Sequence, residues 1–105
     1  MIASALTRAD VLSRLATAQA EILSLGVRRL ALFGSVQRNA ARPDSDVDVL
    51  VEFQSGEKTY DHFLALGDLL EQLFGRRVEL VTPESLSPFL GPHILAEATD
   101  VLRAA

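Results

Sequence analysis

The sequence predicts an α+β fold, a small mixed β-sheet flanked by helices. Three observations carry that expectation. Short apolar runs at residues 29–33, 47–53 and 77–81 have strand length and end at Gly, Pro or small polar residues. Stretches over the first 25 residues and between 59 and 74 repeat apolar residues every three or four positions, the period of an amphipathic helix. The resulting order, α-β-β-α-β-α, interleaves helices and strands in 105 residues and fits a layered domain, neither a bundle nor a sandwich.

Thr7 followed three residues later by Asp10 makes a capping box with Asp in the place of Glu. Behind it Leu12, Leu15, Ile22 and Leu23 keep an apolar stripe to Leu25, and Gly26 ends the helix. Arg29-Leu30-Ala31-Leu32-Phe33 is too short for a helix on its own and predicts a first strand buried on both faces, closed by Gly34. Residues 34–45 are polar or small and contain the turn signal Pro43-Asp44-Ser45, so they form a loop with room for one helical turn after Ser35. Val47 to Phe53 is the second strand, and Gln54-Ser55-Gly56-Glu57 interrupts the pattern. From Thr59 onward Phe63, Leu66, Leu69, Leu70, Leu73 and Phe74 predict an amphipathic helix stopped by Gly75. Arg77 to Val81 is a third strand, closed by Thr82-Pro83. A final helix is expected from Pro92 to Leu102, with Ile94, Leu95, Ala98 and Leu102 on its apolar face.

Composition narrows the function. Residues 1–105 show no composition break and are expected to be one domain. The absence of cysteine excludes disulfides and thiolate zinc sites. A formal charge of −4 argues against electrostatic capture of nucleic acid, which normally needs a clustered basic face; Arg28-Arg29 and Arg76-Arg77 do not make one in sequence. Arg8, Asp10 and Arg14 interrupt the first apolar residues, so neither a signal peptide nor a membrane span is expected, and a cytoplasmic address is the default.

The chemistry concentrates between Leu30 and Phe53. In a strand, residues i and i+2 share a face with Cα atoms roughly 6.5–7 Å apart, so Asp46 and Asp48 face one way and Val47, Val49 and Val51 the other. Two like charges that close are unfavourable unless a cation sits between them, and a divalent metal is the usual answer. Gly34-Ser35, at the exit of the first strand, lets a backbone approach an anion, although a Gly-Ser pair alone is commonly an ordinary turn.

Neither a Walker A loop nor a G-x-G-x-x-G fingerprint occurs. Asp44, Asp46 and Asp48 open like an EF-hand, but its sixth position would be Val49 and its twelfth Ser55, which excludes a calcium loop. Glu79 adds a third acid on another strand. Three carboxylates on neighbouring strands beside a Gly-Ser turn are what a two-magnesium phosphoryl-transfer site needs. Arg38 and Arg42, in the intervening loop, could reach polyphosphate oxygens, although loop arginines are more often solvated or paired with a neighbour, here Asp44. His62 and His93 lack a nucleophile or second ligand at metal spacing and belong on the surface or in helix packing, and Tyr60 reads as an amphipathic anchor.

Gly34-Ser35, a gap of ten residues, Asp46-x-Asp48 and a strand-borne acid at Glu79 resemble the nucleotidyltransferase superfamily that includes DNA polymerase β. More closely, residues from about Leu30 to Leu102 resemble the minimal nucleotidyltransferases, the MNT-domain antitoxins of HEPN/MNT toxin–antitoxin systems. The resemblance implies a polymerase β-like nucleotidyltransferase fold and transfer of AMP from ATP with release of pyrophosphate. It implies that Gly34, Ser35 and Arg38 serve the nucleotide, and that Asp46, Asp48 and Glu79 form the catalytic set holding two Mg2+ ions, Glu79 also assisting the attacking hydroxyl. The partner it implies is a HEPN-domain ribonuclease toxin adenylylated on a tyrosine; the alternative is a catalytically weak or inactive antitoxin acting by binding alone. Two positions depart from the family pattern: the third acid is usually Asp, and Gln37-Arg38-Asn39 stands where Ala-Arg-Gly is familiar. The sequence leaves self-association open.

Overall fold

The computed structural model describes residues 5–104. Helix α1 spans Arg8–Thr17 and starts on the expected capping box: Thr7 Oγ1 accepts from the Asp10 amide at 3.1 Å, and the Asp10 carboxylate accepts from the Thr7 amide at 3.0 Å. The helix does not continue unbroken to Leu25. Thr17 Oγ1 donates to the Arg14 carbonyl at 2.7 Å, a side-chain bond that competes with the helical ladder, and the chain breaks at Ala18 before α2, Gln19–Ser24. The inward stripe is Val11, Leu15 and Ile22, whereas Leu12 is 46% exposed.

Strand β1 spans Val27–Phe33 and is followed directly by α3, Gly34–Gln37, the one helical turn expected after the Gly-Ser pair. Strand β2 is Val47–Phe53. Helix α4, Tyr60–Phe74, is capped by Thr59, whose Oγ1 accepts from the His62 amide at 3.1 Å, and ends at Gly75 in the left-handed region, φ 63°. Strand β3 is Val78–Val81, a 3₁₀ turn covers Pro83–Ser85, and α5 spans Gly91–Glu97.

The last segment corrects the expectation of a helix to Leu102. After Glu97 the chain straightens at Ala98 and forms a fourth strand, β4, Thr99–Arg103, in the register Leu30↔Leu102 and Leu32↔Thr99. Without it, one edge of the buried strand β1 would present unpaired N–H and C=O groups, a cost that pairing with β4 removes. The sheet is mixed, ordered β3-β2-β1-β4: β1 is antiparallel to β2 and β4, and β2 is parallel to β3.

The two faces of the sheet are unequal. Leu30 and Leu32 of β1 and Val47, Val49 and Val51 of β2 meet Val11, Leu15, Ile22, Leu66, Leu70 and Phe74 of the helices in the main core. Arg14 ties these helices together by donating to the Phe74 carbonyl at 2.9 Å. On the opposite face Ala31, Phe33 and Leu50 form a small cluster covered by Leu86, Ile94 and Ala98. At one end of that second face Arg29 pairs with Glu52 and Asp100; the other end carries Asp48 and Glu79. Among the described residues, no helix is long and apolar enough to cross a membrane.

Candidate functional site

The acidic end of the second face is assembled by strand pairing. Phe33 of β1 pairs with Asp48 of β2, and Asp48 pairs with Glu79 of β3. Neighbouring strands lie about 4.8 Å apart, so the Asp48 and Glu79 carboxyls rise side by side from one face. Asp46 immediately precedes β2 and is exposed, as is Glu79, while Asp48 is half-buried.

Gly34 closes this corner from the β1 side. Its φ is +76°, and a Cβ built there would lie 2.0 Å from Asp48 Oδ2, so any side chain would overlap the carboxyl as well as strain the backbone. Glycine is therefore required by conformation and by space. Ser35 and Val36 follow in α3, with Val36 buried in the main core as the anchor of the turn.

Electrostatics at Asp48 follow from this crowding. Burial pushes its carboxyl up to about 6, with further contributions from the charges of Glu79 and Asp46, a hydrogen bond that protonated Asp48 donates to Glu79, and the charge of Glu97. The sequence reading missed Glu97. It is the last residue of α5, where a negative charge opposes the helix dipole, and it forms an ion pair with Arg38, the residue that follows α3. No local signal marked it, because on a helix running to Leu102 it would stand in the middle.

Arg38 thus stands at the rim of the acidic corner, joined to α5 rather than to Asp44. Gln37 Nε2 donates to Thr99 Oγ1 at 2.6 Å and joins α3 to β4, while its Oε1 is buried without a partner. Arg42 uses its amide to donate to Ser45 Oγ at 2.8 Å, closing the loop before Asp46. His62 lies at the start of α4 with Nδ1 2.8 Å from the Glu57 carbonyl, and His93 is exposed on α5. Tyr60 does not anchor the fold: it is 77% exposed, at an apolar cavity of about 320 Å³ near Phe63 and Thr82, at the far ends of β2 and β3.

The donor chemistry of Asp46, Asp48 and Glu79 suits a hard divalent cation: all three offer carboxylate oxygens, and the mutual repulsion that raises Asp48 is what a cation relieves. Among the described residues, no group of three or more acidic or histidine side chains is placed so that it could hold a metal ion. A second cavity, of about 460 Å³, borders Asp46 and is walled by Asp44, Ser45, Arg76 and Arg77.

Residues 12–101 match the model of the nucleotidyltransferase domain family. The chain is 41% identical over 76 residues to the protein adenylyltransferase MntA of Thermococcus cleftensis, covering 72% of this chain and 76% of that one. It is 42% identical over 81 residues to a protein of Methanocaldococcus jannaschii provisionally named a protein adenylyltransferase, covering 77% and 86%. A solved structure provisionally described as a minimal nucleotidyltransferase is 39% identical, with a TM-score of 0.67 over 84% of this chain and 93% of its own. A toxin–antitoxin structure solved with AMP-PNP shares the fold at a TM-score of 0.68 over 89% and 73%, with 17% identity.

Proposed function

The chain belongs to the nucleotidyltransferase domain family, and from that premise we propose that it is a protein adenylyltransferase that moves AMP from ATP to a hydroxyl of a partner protein. The observation that supports this reading is the pairing of Asp48 with Glu79 against the Gly34 turn, with the charge of Asp46 near enough to act on Asp48. Similarity to two proteins named adenylyltransferases supports the same chemistry.

In this reading Gly34, Ser35 and Arg38 hold the polyphosphate, with Arg38 exchanging its Glu97 partner for phosphate oxygens. Asp46, Asp48 and Glu79 would hold two Mg2+ ions, which would supply charge neutralisation at the phosphates. Glu79 accepts the proton of the attacking hydroxyl; the oxygen bonds to the α-phosphorus, the bond from that phosphorus to the bridging oxygen breaks, and pyrophosphate leaves. Glu79 is the acid suited to this because it is exposed and, by donor length, reaches further from β3 than Asp would. The acceptor is a HEPN-domain toxin and the acceptor residue a tyrosine, as the resemblance to MNT-domain antitoxins implies.

Incubation with labelled ATP, magnesium and the neighbouring gene's product is expected to label that product, and the Asp46→Ala, Asp48→Ala double variant is expected to abolish labelling. Full labelling by the double variant would sink the mechanism. Full protection of cells by the double variant, without any AMP adduct on the toxin, would favour neutralisation by binding alone.

A further inference from the structure

The transferase reading above, on which this inference rests, gives Arg38 to the polyphosphate. The Arg38 guanidinium already has a partner within the chain: its Nη1 donates to Glu97 Oε1. Glu97 ends α5, and its charge acts on Asp48, so the carboxylate that holds Arg38 stands beside the acidic corner itself. A nucleotide and Glu97 therefore compete for one cation.

The backbone on both sides of Arg38 is fastened. Its amide donates to the Gly34 carbonyl at 3.2 Å, one turn from the Gly-Ser pair. On one side Gln37 Nε2 donates to Thr99 Oγ1 at 2.6 Å, which ties α3 to the junction where α5 passes into β4. On the other side Asn39 stands in the left-handed region, φ 54°, and its Oδ1 accepts from the Arg8 amide at 3.0 Å, which ties the turn to α1. A change of partner at Arg38 is thus a rotation of its side chain, with the turn and the end of α5 held where they are.

The balance of charges lets that change run both ways. With side chains 57% and 29% exposed and one hydrogen bond between them, Arg38 and Glu97 form a pair that solvent screens and that contributes little. A polyphosphate offers several charged oxygens to the planar fork of a guanidinium and displaces Glu97. While Arg38 is on phosphate, Glu97 lacks its counter-ion beside Asp48, which favours return of the pair when transfer is complete.

We propose that Glu97 is a positioning residue that competes with the polyphosphate for Arg38, holding the guanidinium at the rim of the acidic corner before nucleotide binds and taking it back as pyrophosphate leaves. Weaker nucleotide binding is exchanged for easier release of the product.

Calorimetric titration with magnesium pyrophosphate, taken to millimolar concentration, tests this beside the KM of ATP in transfer assays. Glu97→Gln keeps the length of the side chain and removes its charge. It is expected to bind pyrophosphate about fivefold tighter and to lower the KM of ATP by a similar factor, directions in which damage to the fold does not act. The KM of the acceptor is expected to stay unchanged, and Glu97→Asp, which keeps the charge, to lie between Glu97→Gln and wild type. In an Arg38→Gln background, with no guanidinium to compete for, Glu97→Gln is expected to change pyrophosphate affinity by less than about twofold. Weaker or unchanged pyrophosphate binding by Glu97→Gln, or the same gain in the Arg38→Gln background, would overturn the proposal. Failure of the transferase reading looks different: Glu97→Gln still tightens pyrophosphate through Arg38, while neither protein labels an acceptor.

Discussion

At Asp48 a half-buried carboxyl stands against Gly34 and faces Glu79, Asp46 and Glu97, and its pKa rises to about 6. The folded value lies above the ordinary 3.8, so between about pH 4 and pH 6 the folded state holds the proton more firmly, and this residue's contribution to stability falls as pH rises through that window. Solvent screens a half-exposed group, which leaves a penalty on the order of 1 kcal/mol at pH 7. Asp48→Asn is expected to melt at a higher temperature than wild type at pH 7 and at nearly the same temperature at pH 4, while losing AMP transfer. Thermal melts across that range check the first point; a lower melting temperature for the variant at pH 7 would contradict it. The acids themselves were readable in sequence, because their spacing of two is that of one strand face, although Asp46 stands just before β2. Glu97 was not, because its approach to Asp48 depends on where α5 ends and how it lies over Phe33 and Leu50.

At the scale of elements, local chemistry determined where helices begin and end. Thr59 Oγ1 satisfies the His62 amide and Gly75 adopts the left-handed conformation, so both ends of α4 fall where sequence signals put them. Thr59→Ala is expected to cost about 1 kcal/mol of stability, read by urea unfolding, because one orphan N–H of the first turn loses its acceptor. The C-terminal segment shows the limit of such signals. Ile94, Leu95, Ala98 and Leu102 have helical spacing, yet Thr99–Arg103 is a strand, since the open edge of β1 offers backbone bonds that intrinsic propensity does not register.

For the molecule as a whole, the extra strand changes what each residue of that segment does. On a helix from 92 to 102, Leu95 and Leu102 would share one face; in the observed fold Leu102 lies in the main core and Leu95 is 47% exposed. Leu102→Ala is therefore expected to cost about 2–4 kcal/mol, and Leu95→Ala within about 0.5 kcal/mol, by urea unfolding. Equal costs would contradict the strand. The same layering leaves the second face of the sheet partly open, with Arg29, Glu52 and Asp100 at one end and the carboxylates at the other, so that a site can be both rigidly mounted and accessible.

The sequence by itself determined the helix caps, the three strands it marked and the Gly34 turn, because each follows from spacing and local backbone chemistry. Only the tertiary structure decided that Asp48 and Glu79 are ladder partners, that Glu97 and Arg38 meet at their rim, and that residues 99–103 complete the sheet. Those three outcomes join positions far apart in the chain: the pairing of buried backbone groups selects the first and the last, and the packing of α5 on the sheet brings Glu97 to Arg38, none of which a local pattern encodes.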